Sequence, residues 1–236
     1  MDDIIFDCDS TLSTLEGIDE LARLKGMKAR VAALTNAAMD GSVALQDVYG
    51  ERLRLLQPSR AELRTLELAY RRTVVPDARE VVTALHALGK RVYIVSGGLA
   101  DAVAGFGVWL GVPRERIFAV GLTYDQDGHY LGFADSPLVT ANGKNEVIRA
   151  LRAPGRRALL IGDGASDLAA APSVDLFIGF GGVVARPLLA AQAPVFITAP
   201  SLAPVMLYAT REGEGDSMPV KRRARATMPF SHGHPT

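Results

Sequence analysis

Three short apolar runs, far apart in the chain, each stop at a cluster of small, hydroxyl or acidic residues, and this repeated ending narrows the fold sharply. Ile4-Ile5-Phe6 runs into Asp7-Cys8-Asp9-Ser10-Thr11, Arg91-Val92-Tyr93-Ile94-Val95 into Ser96-Gly97-Gly98, and Ala158-Leu159-Leu160-Ile161 into Gly162-Asp163-Gly164. A continuous apolar run bounded by turn residues is the pattern of a strand buried on both faces. Helical segments lie between these runs. One carries Val81, Val82, Leu85 and Leu88 and stops at Gly89, and another spans residues 142–151. Further strands are expected at 175–178 and 194–197, and a β-hairpin at 124–133 around Gln126-Asp127-Gly128. Strands separated by helices imply βαβ units and a mostly parallel sheet.

The block from Leu12 to Val75 breaks this rhythm. Leu45, Tyr49, Leu53 and Leu56 recur at helical spacing, as do Leu63, Leu66 and Tyr70, with Pro58-Ser59 as break and N-cap between them. An all-helical stretch after the first strand reads as an inserted cap. The expected division is a core of residues 1–11 and 76–210, a helical cap of 12–75, and a mobile basic tail of 211–236, which is rich in Gly and Arg and poor in apolar residues.

Ligands of open α/β sheets bind beyond the carboxyl ends of the strands. The three polar clusters sit at such ends, and Lys144 lies at the start of a helix. Convergence would join one carboxylate pair, a set of phosphate-sized donors, an ammonium and a second carboxylate pair. A carboxylate approaching a phosphate dianion at about 3.5 Å is repelled by about 9 kcal/mol at an effective dielectric of about 20. Attack therefore needs a cation and a lysine to neutralise the site first. Asp7 and Asp163 offer the oxygen ligands that Mg²⁺ takes, Lys144 a fixed positive charge, and Ser96 with the Gly97 amide a cradle for phosphoryl oxygens. Cys8 reads as a small packed side chain rather than a nucleophile.

Asp7-Cys8-Asp9-Ser10-Thr11, Ser96-Gly97-Gly98, Lys144 and Gly162-Asp163-Gly164-Ala165-Ser166-Asp167 resemble the four motifs of the haloacid dehalogenase superfamily. Glu16-Gly17-Ile18-Asp19-Glu20-Leu21-Ala22, Ala38-Met39-Asp40-Gly41, Glu51-Arg52-Leu53, Gln57-Pro58-Ser59-Arg60 and Gly179-Phe180-Gly181-Gly182 are similar to segments of the phosphoserine phosphatases within it. The resemblance implies that Asp7 is the nucleophile and Asp9 the acid, then base, with Ser96 and Lys144 completing the catalytic set. It implies Mg²⁺ on the side chains of Asp7 and Asp163 and on the Asp9 carbonyl, with Asp167 in support. It places Glu16 against the substrate ammonium and Arg52 against its carboxylate, Ser96 and Gly97 on the phosphate, and Met39 over the ligand. Leu45, Asp40 and Ser166 depart from residues common in that family.

The combined expectation is a Rossmann-like core with an inserted helical cap that hydrolyses O-phospho-L-serine through an aspartyl-phosphate. Two other readings remain: a phosphatase or phosphotransferase of the same fold acting on another small phosphate ester, and an inactive module that binds a phosphometabolite. The 236 residues carry 26 basic and 26 acidic side chains, so no bulk charge favours nucleic acid. No apolar stretch approaches the roughly 20 residues of a membrane helix. One cysteine excludes an intrachain disulfide. The absence of a leader pattern and the lone thiol lead to a cytoplasmic expectation. A homodimer is left open.

Overall fold

A computed structural model describes residues 1–39 and 45–227; for 35–39, 45–46 and 225–227 it describes the backbone alone. Asp40 and Gly41, and the side chains of Met39 and Leu45, lie outside the described residues. In chain order the elements begin with β1 (Asp3–Phe6), α1 (Gly17–Leu24), α2 (Lys28–Met39), α3 (Leu45–Leu56), α4 (Arg60–Arg72) and α5 (Ala78–Ala87). Then follow β2 (Arg91–Leu99), α6 (Ala100–Leu110), β3 (Ile117–Val120), β4 (Leu122–Tyr124), β5 (Tyr130–Phe133), α7 (Gly143–Leu151) and β6 (Ala158–Gly162). The chain closes with α8 (Ala165–Ala170), β7 (Leu176–Phe180), α9 (Pro187–Gln192), β8 (Val195–Ile197), α10 (Val205–Ala209) and α11 (Pro219–Thr227).

Six strands form one sheet in the order β3-β2-β1-β6-β7-β8, and every pairing is parallel. The expected α/β, Rossmann-like fold with a parallel core sheet is therefore observed, and the 124–133 hairpin is the antiparallel pair β4–β5. Strand β1 sits centrally. Ile4, Ile5 and Phe6 are buried, each removing apolar surface from water for roughly 2 kcal/mol. Phe6 is in register with Ile94 on one side and Ile161 on the other. The next residue on each strand, or the one after it, is polar. This shared register brings Asp7, Ser96 and Asp163 to the same sheet edge. The chain winds from β1 to β2 and β3 in one direction and from β6 to β8 in the other, so β1 borders the switch point where such sheets bind ligands.

Helices α1 to α4 leave and rejoin the core through two adjoining strands of backbone. The Thr14 amide donates to the Thr73 carbonyl at 2.8 Å, the Val75 amide to the Leu12 carbonyl at 2.9 Å, and Ser13 bridges to Val74. Ser59 caps α4 as its sequence suggests. Its Oγ accepts the Glu62 amide, and the Glu62 carboxylate accepts the Ser59 amide at 2.8 Å.

The region expected as a mobile tail is docked through Thr227. Helix α11 packs on α5 and α10, with Val220 and Ala224 buried four residues apart on one face. Lys221 is buried too. Its ammonium donates to the Glu214 carbonyl at 2.7 Å and the Arg211 carbonyl at 3.3 Å, and pairs with Asp216 at 2.8 Å. Arg223 pairs with Glu80 of α5. Two small apolar residues among four basic ones gave too weak a stripe to stand out from a solvated segment. Among the described residues, no helix is long and apolar enough to cross a membrane.

Candidate active site

Asp7 leaves β1 with its backbone still in the sheet, donating its amide to the Ile161 carbonyl at 2.9 Å. Its carboxylate is fixed at both oxygens. Oδ1 accepts the Cys8 amide at 2.7 Å, and Oδ2 lies 2.7 Å from the Lys144 ammonium. Lys144 is only 4% exposed and reaches Asp167 Oδ1, also at 2.7 Å. The preceding Gly143 explains how a lysine near a helix start points inward. A Cβ there would lie 1.6 Å from the Pro137 carbonyl oxygen, so only glycine lets α7 press against that turn. Burial alone would lower the Lys144 pKa, but Asp167 and Asp7 outweigh it and hold the ammonium charged.

Asp163 follows β6. Arg186 grips its Oδ2 through Nε at 3.1 Å and Nη2 at 3.0 Å, and the Thr11 hydroxyl approaches Oδ1 at 3.5 Å. Asp167 is fully buried in the first turn of α8, where its Oδ2 accepts the Gly164 amide at 3.0 Å. Burial, then the Asp7 and Asp167 charges, push Asp163 up to about 7 despite Arg186. Burial also raises Asp167 to about 6, with Lys144 opposing and Asp7 adding to the rise. Oxygens of Asp7, Asp163 and Asp167 lie within 4.8 Å of one another. Asp7 and Asp163 are the two side chains expected on the metal, and Asp167, expected in support, joins them. One oxygen of the Asp9 carboxylate, Oδ1, points toward α4, where Tyr70 donates its hydroxyl to it at 2.5 Å. Burial and then the Glu16 charge raise the Asp9 pKa well above the usual carboxylate range.

Ser96 is buried within β2, where the pairing with β3 slips between Val95 and Leu99. The slip lets Ser96-Gly97-Gly98 bulge toward the cleft, with the Gly98 amide donating to Ser96 Oγ at 3.1 Å. Over this edge lies the cap. Glu16 accepts the Ser10 hydroxyl at 2.7 Å and sits 3.5 Å from Arg186. Burial, opposed by Ser10, leaves its pKa raised. Arg52 of α3 faces the same space, and its buried Nε has no hydrogen-bond partner among the described residues.

Asp7, Asp9, Lys144 and Asp163 thus line one cleft of about 480 Å³ with Ser96 and Gly97. Glu16 and Arg52 line it from the cap, and Asp167 stands behind Lys144. The Met39 side chain, expected over the ligand, lies outside the described residues. Three contributors escaped the sequence. Tyr49 and Tyr70 read as apolar-face positions, yet the Tyr49 hydroxyl donates to the Gly97 carbonyl at 2.9 Å and that of Tyr70 to Asp9. Arg186 carries no motif of its own and enters only through the fold. Cys8 is buried. Burial, then Asp9 and Asp7, push its thiol pKa well up, as an inert packed side chain requires.

The same motifs organise known proteins. The family of haloacid dehalogenase-like hydrolases matches residues 1–175. Mouse phosphoserine phosphatase is 38% identical over 200 residues, covering 84% of this chain and 89% of the mouse protein. A substrate-bound phosphoserine phosphatase structure superposes with a TM-score of 0.73 at 30% identity, covering 88% of this chain and 97% of that one. A phospho-aspartyl intermediate analogue of phosphoserine phosphatase gives 0.72 at 30% identity, over 88% and 98%. With sequence, fold and cleft in agreement, the chain belongs to the haloacid dehalogenase-like hydrolases and, among them, to the phosphoserine phosphatase family.

Proposed function

We propose that this phosphatase hydrolyses O-phospho-L-serine to L-serine and phosphate through a phosphorylated Asp7, with Mg²⁺ as cofactor. The observation that carries the substrate is Arg52, a half-buried side chain whose buried Nε lacks a partner among the described residues, in the cleft that holds Asp7 and Glu16. A buried unpaired donor is costly, and a substrate carboxylate would satisfy it. Glu16 on the same cap face supplies the anion for an ammonium.

The donor set fits a hard divalent cation. Three carboxylates crowd within 4.8 Å, and the pKa values of Asp163 and Asp167 are raised first by burial and then by the charge of neighbouring Asp7. When bound, Mg²⁺ supplies positive charge that polarises the phosphoryl oxygens. Asp7, Asp163 and the Asp9 carbonyl would hold it, with Asp167 in support. Lys144 aims the Asp7 carboxylate and offsets its charge as it meets the phosphate. Ser96 and the Gly97 amide receive phosphoryl oxygens. Asp9, whose pKa is raised by burial and then by the Glu16 charge, gives a proton to the departing serine oxygen and then takes one from the hydrolytic water. The paired linkers at Leu12–Thr14 and Thr73–Val75 serve as the hinge on which the cap opens for substrate and closes against bulk water. A cytoplasmic setting belongs to this reading and is supported by the single buried cysteine.

The test is phosphate release from phosphoserine, phosphothreonine and small sugar phosphates, with and without Mg²⁺. Phosphoserine should lead, and only with the metal. Arg52→Ala should then lose roughly 10–100-fold in kcat/KM on phosphoserine, the value of one charge-assisted contact, and far less on an aryl phosphate. Equal losses on both would remove the case for carboxylate recognition.

A further inference from the structure

We propose that Tyr70, a cap residue, is a positioning residue for Asp9, fixing which carboxylate oxygen faces the phosphate. The inference rests on Asp9 being the acid and base of the reaction above.

Tyr70 is fully buried near the end of α4. Its ring stacks on Phe106 of α6 at 5.5 Å, and Phe106 stacks on Trp109 at 6.0 Å, both pairs inclined by 19°. This stack fixes the phenol's direction. The hydroxyl passes over Gly17, where a Cβ would stand 2.2 Å from the phenol oxygen, and ends 2.5 Å from Asp9 Oδ1. The second Asp9 oxygen faces the phosphate cradle. The Cβ position of Gly98 lies 3.6 Å from Asp9 Oδ2 and 3.2 Å from Ser96 Oγ.

A carboxylate rotates about its last torsion in a broad, two-fold well, so its oxygens exchange unless something distinguishes them. The Tyr70 hydroxyl donates, so Oδ1 accepts and the transferable proton sits on Oδ2, on the cradle side. In the first step an Asp7 oxygen bonds to phosphorus, the bond from phosphorus to the serine oxygen breaks, and the Oδ2 proton moves to that oxygen. In the second a water oxygen bonds to phosphorus, the Asp7 bond breaks, and the water's proton returns to Oδ2. Orientation of this kind affects the chemical step rather than substrate binding.

Tyr70→Phe keeps the stack and removes only the hydroxyl. On phosphoserine the variant should lose roughly 10-fold in kcat with KM within about two-fold, a fraction of what a general acid contributes. Single-turnover release of p-nitrophenol from p-nitrophenyl phosphate should fall by less than about two-fold, because a phenolate leaves without a proton. Equal falls on both leaving groups, or an unchanged kcat on phosphoserine, would overturn the proposal. Wild-type turnover tests the substrate reading separately. If wild-type protein leaves phosphoserine intact, that reading fails, and glycerol phosphate replaces it as the alkyl ester against which the same ratio is judged.

Discussion

Replacing Lys144 by Met removes one ammonium while keeping most of the side-chain volume, and the geometry sets the consequence. The ammonium lies 2.7 Å from both Asp7 and Asp167. Each pair is worth about 6 kcal/mol of Coulomb energy at an effective dielectric of about 20. Desolvating the lysine offsets much of this, and breaking one partner of a buried pair typically costs about 3–5 kcal/mol. The loss should appear in urea unfolding as a lower midpoint with an unchanged slope. Mg²⁺ should recover more stability in the variant than in the wild type, because the carboxylate cluster has lost its lysine. Activity should fall by roughly 10²–10³-fold in kcat, the usual cost of removing one fixed charge from a transition state. A variant as stable as wild type, or one retaining most of its kcat, would refute the claim that Lys144 neutralises this site.

Other perturbations test other parts of the structure. Burial works to raise Asp3, but hydrogen bonds from Arg91 and Arg156 outweigh it and hold its pKa below the usual carboxylate range. Its contribution to stability is thus present at neutral pH and disappears as pH falls through that lowered value. Asp3→Asn should flatten the acid limb of a melting-temperature profile. Gly143→Ala would drive a Cβ into the Pro137 carbonyl, displacing α7 and Lys144. A loss of roughly 1–3 kcal/mol by denaturant titration and a fall in kcat are expected. Truncation after Thr210 removes Val220 and Ala224 from their buried seats on α5 and α10. It should cost roughly 2–4 kcal/mol of stability in denaturant titration. Cool-temperature activity should survive, because α10, on which α11 rests, ends where the Ala209 carbonyl takes the Met1 amine, at the strand edge opposite the cleft.

The sequence carried the core sheet because a parallel strand buried on both faces is a continuous apolar run, and β1, β2 and β6 each have one. Their polar ends could be read as one site because a shared register turns separate clusters into neighbours. Lys144 was harder, since its inward direction depends on the close approach at Gly143, which is a property of packing. Tyr49, Tyr70 and Arg186 were beyond reach for related reasons. A tyrosine in a helical stripe looks the same whether its hydroxyl meets solvent or a catalytic carboxylate. An arginine without a motif gains its meaning only when Asp163 and Glu16 are brought beside it. The docked α11 was misread because its anchoring relies on backbone carbonyls that accept from Lys221, a partner type that composition does not reveal.

The decisive observation would be of Asp7 itself during turnover. Borohydride added to protein reacting with phosphoserine and Mg²⁺ should reduce the acyl-phosphate, so that peptide mass spectrometry finds homoserine at position 7. The modification should be absent without substrate or metal, and lost in Asp7→Asn. Phosphate released at full rate with position 7 unmodified, or homoserine formed at another carboxylate, would contradict the mechanism.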